Sequence, residues 1–105
     1  MKAIIDGLRY DTETAEMIDE ASARGYACND FSYWSEKLYR TKKGNYFLAG
    51  EGGALSRYSE AFGQNGSTGG KKIIAIDADE AREWCERHST PETVETLFYD
   101  AVTDA

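Results

Sequence analysis

Residues 33–49 read YWSEKLYRTKKGNYFLA, and the fold turns on how this stretch is read. Two aromatic-rich runs flank Thr41-Lys42-Lys43-Gly44. Glycine at the last position of so short a connection suits a type I turn closed by a left-handed residue, a conformation that glycine enters cheaply. The stretch therefore predicts an antiparallel β-hairpin with Lys42 and Lys43 solvated at its tip. Alternation puts Trp34, Glu36, Leu38 and Arg40 on one face and Tyr33, Ser35, Lys37 and Tyr39 on the other. Neither set is purely apolar, so each face is expected to be partly covered by other parts of the chain.

Toward the N-terminus, Ala3, Ile4 and Ile5 precede Asp6-Gly7, a turn pair that folds a short strand back on itself. The next segment, YDTETAEMIDEAS (residues 10–22), has two readings. Asp11 or Thr12 can cap a helix with Ala15, Ile18 and Ala21 on one side. A strand competes, because a threonine-rich start is a poor helix interior. The spacing is taken here as a helix, ended by Gly25, with a loop at residues 27–30.

Toward the C-terminus, the glycines at 50, 52 and 53 break the hairpin strand. Leu55, Tyr58 and Phe62 then have helical spacing, with Gly63 as a left-handed cap. GQNGSTGG, residues 63–70, holds four glycines in eight and reads as an exposed loop. KKIIAID gives a short buried strand. Asp77 and Glu80 form a capping-box pattern for a helix whose inner stripe is Ala81, Trp84, Cys85 and His88. Thr90-Pro91 opens a last helix with Val94, Leu97, Phe98, Ala101 and Val102 on one side. These elements predict one α+β domain over residues 1–105. A small antiparallel sheet, built on the central hairpin with short strands at 3–5 and 72–76, packs against three to four short helices.

Composition limits the chemistry. The 105 residues include 13 aromatics, so the chain can bury a core. No apolar run approaches the roughly 20 residues of a membrane helix, and the start MKAIIDGLRY has an apolar run too short for a signal peptide and an early Asp6. A cytoplasmic protein is predicted. Cys28 and Cys85 then read as free thiols, and with a single histidine no zinc set assembles. The glycines after the hairpin lead into a proper helix start, but Glu51 sits in the loop and Lys42 and Lys43 lie at the far strand end, so the pattern of a phosphate loop is absent. Cys85 and His88 lie one helical turn apart, near a C-terminus that favours an imidazolium, but no orienting group accompanies them. A non-catalytic protein without cofactor or metal is expected.

Charge is the remaining signal. The chain carries 19 acids against 12 bases, a net charge of -7. Residues 11–20 hold five acids and no base, and residues 61–105 nine acids against four bases. This balance disfavours direct nucleic-acid binding. Asp11, Glu13, Glu16, Asp19 and Glu20 form one candidate partner-binding set. Asp79, Glu80, Glu83 and Glu86 form another, with row spacings of roughly 5–6 Å on a helix. A solvated face is the plain alternative for both.

YDTETA, LYRTKKGNYFLAGEGG, LSRYSE and IIAIDADEAREWCE together resemble a family of short proteins found in bacteria, on phages and on integrative elements. The likeness covers about residues 2–88 and departs at IAID, where many members have Ile-Pro-Leu. It supplies no catalytic residues. Some small acidic proteins of mobile elements, among them anti-CRISPR proteins, inhibit host defence. The resemblance thus implies an inhibitor that binds a host defence complex of CRISPR-Cas type and sterically blocks its nucleic-acid site, with an acidic surface as DNA mimic. Such a protein would be a monomer or weak dimer without membrane contact. The alternative is an accessory, adaptor or regulatory domain of a mobile element, without mimicry.

Overall fold

The computed structural model of the chain describes residues 1–23, 32–62 and 66–105. Its strands are β1 (Lys2–Ile5), β2 (Leu8–Asp11), β3 (Glu16–Ser22), β4 (Trp34–Arg40), β5 (Tyr46–Gly52), β6 (Glu60–Phe62), β7 (Gly66–Thr68) and β8 (Gly70–Ile76). Helices α1 (Ala78–His88) and α2 (Pro91–Leu97) follow, then one 3-10 turn at Tyr99–Ala101. The main sheet has the order β3-β4-β5-β8, and β1-β2 and β6-β7 form two-stranded ribbons; every pairing is antiparallel.

The two hairpins form as their turn residues dictate. Ile5 pairs with Leu8, leaving Asp6 and Gly7 as a two-residue turn with φ of 51° and 80°, as a type I′ turn requires. In the β4–β5 hairpin, Thr41 N donates to Asn45 O at 2.8 Å and Gly44 N to Thr41 O at 2.9 Å. Gly44 takes φ 91°, and Lys42 and Lys43 are exposed at the tip.

The expected balance of helix and strand is corrected. Among the described residues there are two α-helices rather than three or four, and the sheet system dominates. Residues 16–22, expected as helix, are strand β3. Residues 54–59 form turns instead of a helix. Ser56 Oγ donates to Gly53 O at 2.8 Å and accepts from Tyr58 N at 3.2 Å, so the hydroxyl captures backbone groups that a helix would use. Residues 66–68, expected in a loop, are strand β7. The strand expected at 3–5 belongs to a separate ribbon and does not extend the main sheet. The last helix ends at Leu97, so Ala101 and Val102 fall outside its stripe and are exposed. The expectations for Gly25, Cys28, Gly63 and the loop at 27–30 lie outside the described residues.

Both faces of the main sheet are covered. On one, Leu38, Tyr46 and Leu48 pack against Ala81, Trp84 and Cys85 of α1 and Val94 and Phe98 at α2. On the other, Phe47 and Ile73 pack under Tyr10 of the β1–β2 ribbon, with the Tyr10 and Phe47 rings edge-on at 5.4 Å. Gly50 and Gly52, expected to break the hairpin strand, are paired within it opposite Glu36 and Trp34, and glycines in the paired strands serve this packing. A Cβ on Gly50 would fall 2.5 Å from Tyr58 Oη and 2.8 Å from Ser35 O, and one on Gly70 2.8 Å from the Glu60 side chain. The segment after β5 therefore lies directly on bare backbone, and Tyr58 becomes fully buried.

Candidate functional site

Helix α1 is a rigid platform. Asp77 caps it, accepting from Glu80 N at 2.8 Å, and Asp79 and Glu80 in the first turn complement the helix dipole. Ala81, Trp84 and Cys85 are buried beneath it. Ser89 closes the far end by two bonds: its N–H donates to Cys85 O at 2.8 Å, and its Oγ donates to Asp19 Oδ2 at 2.5 Å. The second bond ties the helix end to the edge strand β3.

The nine acids singled out from the sequence do not form one surface of equal character. Asp79, Glu80, Glu83 and Glu86 are exposed on the outer side of α1. Arg82 stands between Asp79 and Glu86, 3.9 Å from a carboxylate oxygen of each, so this row is partly neutralised. Among the described residues no ion pair involves Glu80 or Glu83. Of the other set, Asp11 accepts from Glu13 N at 2.9 Å and shapes the turn before β3. Asp19 holds Ser89, and Glu16 pairs with Arg40 at 3.4 Å. Glu13 and Glu20 are exposed. The structure brings Asp19 into the neighbourhood of α1 but leaves Asp11 at the end of β2 and Glu13 on the connection to β3.

A buried polar hub went unnoticed in the sequence. Glu36 is 5% exposed. Its Oε2 accepts from Tyr58 Oη at 2.6 Å and from Arg57 Nη1 at 3.3 Å, and its Oε1 accepts from Trp84 Nε1 at 3.1 Å. Burial pushes the Tyr58 hydroxyl well above its usual range, reinforced by its hydrogen bond to Glu36 and by that carboxylate's charge, with Arg57 opposing. One signal was available: Glu36 lies between Trp34 and Leu38 on its strand face, a charged residue flanked by two apolar ones. The hub joins strand, turn segment and helix. Two of its donors, Tyr58 and Trp84, are buried core groups and the third, Arg57, is half-exposed, which suits a structural role.

Cys85 and His88 do not make a nucleophilic pair. The Cys85 thiol is fully buried and pushed up to about 11, first by burial and then by Asp19 and Glu86, so it stays protonated at neutral pH and is a poor nucleophile. The His88 ring packs against Trp34 at 5.4 Å and Trp84 at 5.2 Å. Partial burial, followed by Arg87, lowers its pKa against the opposing pull of Glu36. This corrects the imidazolium expected from the helix dipole. In a Cys28→Ser background, Cys85 is expected to react with Ellman's reagent about 100-fold more slowly in the native protein than in urea. Comparable rates would show an open thiol.

The phosphate-loop reading also fails on geometry. Lys42 and Lys43 lie at one end of β5 and the glycines at the other, roughly 20 Å apart at about 3.3 Å per residue, and turns rather than a helix follow Gly53. No group of His, Cys, Asp or Glu is placed to hold a metal, and no helix is long and apolar enough to cross a membrane, both among the described residues. Comparisons with protein-family models, with curated proteins and with solved structures found no match to the chain.

Proposed function

We propose that this chain is a non-catalytic inhibitor of a phage or mobile element that docks, in the host cytoplasm, on a basic nucleic-acid site of a host defence complex of CRISPR-Cas type. The observation that supports this reading is the outer side of α1, where Glu80 and Glu83 stand exposed on a capped, well-packed helix beside Asp79 and Glu86. Fixed carboxylates on a rigid element steer association and favour a positive counterpart. Binding would block the site by occupying it.

A second reading has its own observation. Arg82 contacts both Asp79 and Glu86, and a row broken by a cation imitates a phosphate backbone poorly. This favours an accessory or adaptor domain whose acids keep it soluble.

One experiment separates the two. A target captured from host lysate is identified by mass spectrometry, and its affinity is measured against the parent chain and two double variants over a range of salt. Asp79→Lys with Glu83→Lys is expected to weaken binding at least about tenfold at low salt and to flatten the salt dependence. Glu92→Lys with Asp104→Lys changes net charge equally at exposed positions and should cost much less. Equal losses would mean general steering without mimicry, and no loss from either would favour the adaptor. Circular dichroism controls for the roughly 0.3–1 kcal/mol that a lysine in the first helical turn costs.

A further inference from the structure

Between α1 and α2 lies a slot of about 250 Å³. Buried Cys85 and Val94 form its floor, Pro91 lines one side, and Val102 stands at the mouth, 39% exposed. Glu86 from α1 and Glu95 from α2 flank it. Asp19 approaches from β3, held on Ser89, which also lines the slot.

Its size and lining restrict the occupant. Small-molecule sites span about 300–1,000 Å³, so this slot suits one side chain better than a cofactor. A purely apolar occupant would bring hydrocarbon against carboxylates and cost them hydration. An anion would meet like charge. A long aliphatic stem with a cationic head satisfies both parts, the stem on Val94, Cys85 and Val102 and the head at the wet rim. Arg82 already contacts Glu86 from the outer side of the helix at 3.9 Å. Glu95 is exposed, and no ion pair involves it among the described residues.

We infer that the slot between α1 and α2 receives one Lys or Arg side chain of a protein partner. This rests on the reading of the chain as a binder of basic protein surfaces, and it names the contact that would anchor the complex, a role arginine often fills at interfaces.

The test uses the peptide acetyl-Gly-Gly-Arg-Gly-Gly-amide, titrated into the isotope-labelled full chain and followed by NMR. Saturable shifts confined to Val94, Glu95, Val102 and their neighbours are expected, with an apparent Kd on the order of millimolar. Glu95→Gln should weaken binding about three- to fivefold, and so should replacing the peptide's arginine with neutral citrulline. Glu92→Gln, one turn away, should change nothing. The inference is overturned by an absence of saturable shifts up to about 50 mM peptide. It is equally overturned by shifts spread evenly along Asp79 and Glu83, by indifference to Glu95→Gln, or by a norleucine peptide that binds as well as arginine. No partner enters the titration, so its failure removes the slot alone. The lysine reversals at Asp79 and Glu83 lie outside the slot and judge the wider reading separately.

Discussion

Replacing Glu36 with leucine is expected to destabilise the chain by about 2–6 kcal/mol, because it strands two buried donors at roughly 1–3 kcal/mol each. Leucine fills much of the same volume, so little space opens for water to take over the carboxylate's bonds to Tyr58 and Trp84. The thermal midpoint should fall by about 10 °C or more. The decisive measurement is a change of sign. Tyr58→Phe should destabilise the parent by about 1–3 kcal/mol, since it removes a donor from the buried carboxylate. In the Glu36→Leu background the same change should stabilise, since it removes a donor that has lost its acceptor. Urea melts of the four proteins give the cycle. If Tyr58→Phe costs the same in both backgrounds, the hub is not a coupled unit.

Gly50→Val should be as damaging, for a different reason. Valine is the better strand former by up to about 1 kcal/mol, so local preference alone would favour the change. Yet even the first added carbon would overlap Tyr58 and the Ser35 carbonyl, and a fully buried tyrosine has nowhere to go. Overpacking of about 3 kcal/mol or more should win. Gly44→Ala is the useful contrast: nothing lies within 4 Å of its Cβ position, but its φ is +91°, so the cost is backbone strain of about 1–2 kcal/mol. In a Tyr58→Ala background the penalty of Gly50→Val should fall by the share due to Tyr58 and keep the share due to the Ser35 carbonyl, while that of Gly44→Ala should not move. Equal penalties for Gly50→Val in both backgrounds would refute the share assigned to Tyr58.

What could be read from the sequence was local. Asp6-Gly7, Gly44, Asp77 and Thr90-Pro91 act within a few residues of themselves, and each turn or cap formed where its chemistry placed it. Residues 16–22 misled for a specific reason. Between Met17 and Asp19 the pairing with β4 slips by one residue, leaving Ile18 as an extra. Ile18 and Ala21 therefore both reach the helix-side core although an odd spacing would put them on opposite faces of a regular strand. A bulge thus counterfeits the three-residue step of a helix. Leu55, Tyr58 and Phe62 also had helical spacing, but Leu55 is 74% exposed while Tyr58 is buried, because the fit of Tyr58 over Gly50 decides that segment. That fit is set by a residue on another strand, as is the role of Glu36. At the candidate site, the acids of α1 and the helix beneath them were legible. The slot beside Glu95 depended on geometry.

The two faces of the main sheet are closed by opposite ends of the chain, and this has a consequence for synthesis. A ribosome that has delivered residues 1–76 has supplied all four strands and the ribbon that covers Phe47 and Ile73. Leu38, Tyr46 and Leu48 still await Trp84, Cys85, Val94 and Phe98. At roughly 5–20 residues per second, the stretch from there to Phe98 takes on the order of a second or more, and emergence from the exit tunnel adds to it. For that interval the nascent protein is a half-clad sheet with an adhesive side. Chaperone demand should therefore concentrate between the synthesis of β8 and that of α2.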